Sequence, residues 1–277
     1  MIIEKHMKWK LYALNFFVFA AISMVNTQMI PYLTKLGYSV VERGWILAGN
    51  AIVSIIGQFL FGYLCDRFQK IRRFFLLAYV ILIAASFAMF LYQQRVFYYH
   101  IFTVSFMGGM VKVIMGLDET WMLELDSEHY GVLRCFGALG LTIGSPIAGY
   151  LVSHFSYISL LISFSIISIV LLYLIKTSSD AKKNGRAMRM EDIKGFFKNK
   201  RYLLLVCIYL FIYMIGTADQ YVVIDKMLDI HANSTQIGIK WALQSFMEAP
   251  LFLISAKILK RFKPFTLLWF GTVMYAV

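Results

Sequence analysis

The chain has 277 residues, of which 60% are hydrophobic, 17% aromatic and only 15% charged. A soluble globular domain runs about half apolar and about a quarter charged, so this composition excludes one, together with disorder, a collagen-like repeat and a disulfide scaffold. The net charge of +12 would indicate nucleic acid only if the basic residues formed one face.

A bilayer core of about 30 Å takes roughly 20 apolar residues in a helix. Eight stretches meet that length: residues 11–33, 45–64, 74–92, 98–123, 132–153, 157–175, 202–224 and 238–256. A ninth, 265–277, is too short to cross. Lys5, Lys8 and Lys10 precede the first stretch as in a signal peptide. That apolar run is too long for a signal-peptide core and no small-residue cleavage pattern follows, so it reads as the first spanning helix. Cys65, Cys135 and Cys207 lie in or beside apolar runs and are expected as buried thiols in a reducing setting.

Lys and Arg are distributed unevenly between alternate connections. With the N-terminus inside, the inner segments hold 20 of the 27 and the outer ones four. The remaining three, Lys112, Arg134 and Lys240, fall within spans. This bias predicts a cytoplasmic N-terminus. It also removes nucleic acid as a partner, because the positive charge is scattered over separate loops.

Residues 176–201 form the one long connection, polar and basic, and 190–200 are patterned for a short surface helix. They divide a six-helix N-terminal bundle, 1–175, from a partial C-terminal bundle, 202–277. The fold class is therefore an all-α polytopic membrane protein. A shift of 194 places Gly44, Arg67 and Phe68 on Gly238, Arg261 and Phe262, and Asn26 on Gln220. Internal repeats of this kind mark secondary transporters.

Ionisable side chains inside a span need a partner or a function, since each costs about 2.5–3.5 kcal/mol to insert. The fourth span carries Lys112, Asp118 and Glu119. Glu119 shares a helical face with Lys112, whereas Asp118 points about 120° away. Arg134 enters the fifth span at a similar depth. Glu119 and Arg134 are the expected solute-binding pair, although such a pair equally locks two helices together. Asp219 in the seventh span and Lys240 in the eighth are placed to neutralise each other. Glu248 sits near the middle of the eighth span beside Pro250, with no basic neighbour in sequence. It is the first choice for a proton carrier and Asp219 the second; a protonated Glu248 bonded between helices is the plainer alternative. Asn26 is a further polar candidate for the solute site. Trp121 and Trp241 offer rings for stacking on a sugar or base, or simple packing.

The five histidines are scattered, without the pairing that a metal site needs. No Gly-rich phosphate loop, HExxH or nucleophile elbow occurs, so neither a cofactor nor an enzymatic centre is expected.

Between the second and third spans the chain reads Gly62-Tyr63-Leu64-Cys65-Asp66-Arg67-Phe68-Gln69-Lys70-Ile71-Arg72-Arg73. This resembles the G-x-L-x-D-R-x-G-R-[RK] signature of the major facilitator superfamily. Gly62, Asp66, Arg67, Arg72 and Arg73 match as the structural or gating motif, with Gly62 permitting close helix approach. Gln69 stands where the family usually has glycine, which predicts a looser turn. The run Tyr130-Gly131-Val132-Leu133-Arg134-Cys135-Phe136-Gly137-Ala138-Leu139-Gly140 is similar to Y-G-x-x-R-x-x-G-S-x-G of the lactose-permease-like branch. Trp241-Ala242-Leu243, with Glu248 and Pro250, is similar to that branch's W-A-L-x-x-x-x-E-x-P.

The resemblance implies a major facilitator fold and proton-coupled symport of a sugar or nucleoside across a bacterial plasma membrane by alternating access. Its partners would be a small solute, a proton and the lipid bilayer. In that branch an acidic residue of the fourth span and an arginine of the fifth hold the substrate, which supports Arg134 by motif and Glu119 by position. Export of a drug or metabolite is the alternative within the superfamily. The half-built second bundle leaves a further one, a truncated membrane protein that does not transport.

Overall fold

Helices make up nearly all of the computed structural model, which describes residues 2–181 and 198–276. In chain order they are α1 (Ile2–Asn26), α2 (Met29–Lys35), α3 (Val40–Phe68), α4 (Arg72–Leu91) and α5 (Phe97–Asp126). There follow α6 (Tyr130–His154), α7 (Tyr157–Thr177), α8 (Lys200–Asp229), α9 (Ser234–Arg261) and α10 (Pro264–Ala276). Eight spans long and apolar enough to cross a membrane occur among the described residues. The chain is a multi-pass integral membrane protein. The surface helix expected over 190–200 lies almost wholly outside the described residues.

The observed helices overrun the apolar stretches because their caps lie beyond them. Ser39 accepts from the backbone N–H of Glu42, and Glu42 Oε2 accepts from the N–H of Ser39 at 2.8 Å. Asn233 and Gln236 make the same reciprocal pair at the start of α9. Both satisfy N–H groups that no helical partner can reach.

The first span is broken, which its apolar length did not foretell. It runs from Lys8 to Lys35 as two helices, α1 and α2. Pro31 has no N–H to give the carbonyl of Thr27, so the ladder lapses there. Thr27 Oγ1 bonds instead to the Ser23 carbonyl at 2.7 Å.

Close approach is concentrated on α6. A Cβ at Gly140 would collide with the Phe16 carbonyl of α1, and one at Gly144 with Ser23 Oγ. On the α9 side, Gly149 abuts the Ser234 carbonyl, while Gly238 abuts that of Ser145. Small residues of this kind let membrane helices pack backbone to backbone. Helix α6 thus joins the first helical set to the second along its length. Ser245 Oγ adds a bond to the Ala138 carbonyl at 2.8 Å.

Three expectations are corrected. A Cβ at Gly62 would meet nothing within 4 Å, so no helix approaches closely there among the described residues. The turn at Gln69 is not looser. Gln69 adopts the left-handed conformation, φ 53° and ψ 37°, that glycine would take, and its Nε2 donates to the Asp66 carbonyl at 2.5 Å. Cys65 and Cys135 are buried, but Cys207 is exposed on α8.

Candidate functional site

A cavity of about 210 Å³ lies where α1, α5, α6, α8 and α9 converge. Four of the residues expected in the solute and proton sites line it: Asn26, Arg134, Trp241 and Glu248. Gln220, which the 194-residue shift pairs with Asn26, lines it too. Positions paired by that shift therefore supply two amides to one space. At two other paired positions, Arg67 lies 5.8 Å from the Phe68 ring centre, and Arg261 lies 5.9 Å from that of Phe262.

Arg134 is held by rings rather than by acids. Its guanidinium sits 5.0 Å from the Phe19 ring centre and 5.1 Å from that of Phe252, both cavity residues. It makes no hydrogen bond to a described residue. Lys112 lines the cavity from α5 and is likewise without an acceptor among the described residues. Glu248 has no basic neighbour in sequence, but the fold sets both cations into the wall it shares.

Trp241 presents an apolar face and an unused donor. Its Nε1 is buried with no partner among the described residues, and Lys240 Nζ lies 3.9 Å from its ring centre. The same ammonium donates to Gln244 Oε1 at 3.1 Å. Asp219 is exposed, does not line the cavity and forms no ion pair within 4 Å among the described residues. Its influence on Lys240 is that of a charge at a distance.

Glu119 and Trp121 lie apart from the cavity. Glu119 is exposed and accepts from Tyr130 OH at 2.9 Å. Trp121 is fully buried, packs against Phe75 at 5.4 Å and donates Nε1–H to the Ser179 carbonyl at 3.1 Å. Asp118, not favoured on facing, is fully buried; neither carboxylate oxygen finds a donor among the described residues. The charge of Arg134 reaches it without a bond.

The signature residues between α3 and α4 lie at the end of the bundle remote from the α2–α3 connection. Arg72 Nη1 donates to the carbonyls of Ser178 at 2.9 Å and Lys176 at 3.2 Å. Asp180 Oδ1 accepts from the N–H groups of Ile71 and Arg72 at 3.0 and 2.9 Å, capping α4. Arg67 and Arg73 are exposed, and Asp66 is half-buried.

Gln244 and Lys112 were not singled out for the site. Gln244, Ser245 and Glu248 recur at helical spacing along α9, and that polar stripe was the available signal. Among the described residues, no group of three or more His, Cys, Asp or Glu is placed to hold a metal.

Eight spans, joined along α6 and enclosing a polar cavity, describe a polytopic membrane protein built around a space that a small solute could enter. The chain matches the MFS_1 like family over residues 8–277 and belongs to that family of the major facilitator superfamily. It is 24% identical over 276 residues to the maltose permease of Geobacillus stearothermophilus, covering 96% of this chain and 67% of that protein. It is 24% identical over 164 residues to the probable 3-phenylpropionic acid transporter of Escherichia coli (strain K12), covering 56% of this chain and 42% of that protein.

Proposed function

We propose that the chain is the cavity-bearing portion of a secondary active transporter that carries a small polar solute together with a proton. The observation that supports this reading is the pairing of Asn26 and Gln220, equivalent residues of the two sets, in one cavity with Trp241. Amides hydrogen-bond hydroxyls or ring nitrogens, and the indole offers a face for a sugar or base. The relatives' names, a maltose permease and a 3-phenylpropionic acid transporter, are consistent with a polar solute. The volume of about 210 Å³ lies below the usual range of about 300–1,000 Å³ for drug-sized ligands, which favours a single-ring solute.

Glu248 is the proposed proton carrier, since it faces the cavity; Asp219 is the second candidate. The charge bias supports a cytoplasmic N-terminus, and the bacterial relatives support a plasma membrane of that kind. In that orientation the Arg43–Asp225 ion pair, 2.6 Å long, bridges α3 and α8 on the outer side, which supports a closure there in an alternating-access cycle.

Uptake of radiolabelled monosaccharides and nucleosides into proteoliposomes tests the reading. An imposed inward proton gradient should drive accumulation, a protonophore should collapse it, and Arg134→Ala should abolish it while leaving membrane insertion intact. Uptake indifferent to the proton gradient, or normal in Arg134→Ala, would overturn it.

A further inference from the structure

The cavity wall holds two cations and one acid, and neither cation has a hydrogen-bond acceptor or ion-pair partner among the described residues. Arg134 offers five N–H donors in a planar fork. The rings of Phe19 and Phe252 hold that fork but accept none of its N–H groups conventionally. Lys112 brings three more donors from α5. From α5 come Lys112 and the buried Asp118, from α6 Arg134, and from α9 Glu248 with Lys240, whose ammonium already serves Gln244 and the Trp241 ring. Asp118 acts on Arg134 by charge alone and accepts none of its donors. The linings from α1 and α8 are amide and apolar.

Two cations facing one cavity in a membrane protein favour an acceptor between them. A hydroxyl answers one donor weakly, whereas a carboxylate takes two parallel N–H bonds from an arginine and cancels charge as well. We infer that the transported solute carries one carboxylate, gripped by Arg134 with Lys112 as second contact, while its polar remainder lies against Asn26, Gln220, Gln244 and Trp241. This rests on the transporter reading above and narrows its sugar or nucleoside to an acidic form, such as a sugar acid. Glu248 in the same wall opposes the anion when ionised, and its protonation lifts that opposition. Anion and proton thus favour each other's binding, reciprocally.

Isothermal titration of the purified protein with matched pairs tests this, using a panel of small monocarboxylates and their neutral twins (glucuronate against glucose, benzoate against benzamide). The acid is expected to bind tighter than its twin by about tenfold to a hundredfold, the range of charge-assisted hydrogen bonds. Arg134→Gln and Lys112→Gln should each weaken the acid by about tenfold more than they weaken its neutral twin. Arg134→Lys, which keeps the charge, should retain part of the preference and shows that loss in Arg134→Gln is not misfolding. Lowering the pH should tighten the acid alone, and Glu248→Gln should remove that dependence. Equal or tighter binding of the neutral twins, or a preference that survives both glutamine substitutions, overturns the carboxylate while leaving the transporter reading standing. Binding of neither, with no proton-driven uptake, overturns both.

Discussion

Arg43 and Asp225 form a 2.6 Å ion pair that ties α3 of the first helical set to α8 of the second. Arg43 also donates to the Tyr38 carbonyl at 2.8 Å, so the guanidinium is fixed before its partner arrives. The side chains are 8% and 25% exposed, between the surface limit, where such pairs contribute little, and the buried limit, where breaking one is severe. Removing either partner should therefore cost this closure about 2 kcal/mol. A cysteine placed at Val222, beside the pair, should react with a membrane-impermeant thiol reagent several-fold faster in Arg43→Ala than in the parent. An unchanged rate would mean that the pair does not hold this end shut.

Gln69 pays in backbone strain for a position that suits glycine, and its side chain recovers part of it through the bond to Asp66. Gln69→Ala keeps the strain and loses the bond; Gln69→Gly loses both. The glycine variant should exceed the alanine variant in stability by about 1 kcal/mol, measured by thermal unfolding in detergent. Equal stabilities would deny that the left-handed conformation costs anything here.

Asp180 caps α4 from the far end of α7. Asp180→Ala should lower stability by about 1 kcal/mol, the usual cost of losing a helix cap. Limited proteolysis should cut faster near residues 176–201 in that variant, because α7 loses its tie to the α3–α4 turn. Asp180→Asn, which keeps an acceptor, should behave nearly as the parent.

The two tryptophans expected at the solute site should separate cleanly. Trp121→Phe removes the indole bond to the Ser179 carbonyl and should cost about 1 kcal/mol of stability with solute affinity unchanged. Trp241→Phe removes a donor that no described residue uses. It should leave stability unchanged and weaken solute binding, read by titration calorimetry. The reverse pattern would exchange their roles.

The sequence carried the spans well, since each apolar run needs only length to be recognised. It could not carry the break after Asn26, because Pro31 breaks a ladder only where the lost bond falls. Lys112 and Glu119 share an exposed face, whereas Asp118 is buried. Facing alone does not report depth. Seven residues advance a helix by about 10 Å, which carries Glu119 past the cavity and into reach of Tyr130. Glu248 looked solitary for a related reason, since its cationic neighbours come from α5 and α6, more than a hundred positions away. Asn26 and Gln220 were legible because a repeat converts distance along the chain into symmetry in space.

Gly149, Gly238 and Ser245 bring α6 and α9 together so tightly that a side chain larger than hydrogen at either glycine would strike backbone. A seam interlocked in this way can act as a pivot line but cannot part. Any opening between the two helical sets must then swing about it, with displacement growing in proportion to distance from the axis. The Arg43–Asp225 contact lies on other helices, α3 and α8, so a rotation about the seam would draw this pair apart while leaving the seam itself closed.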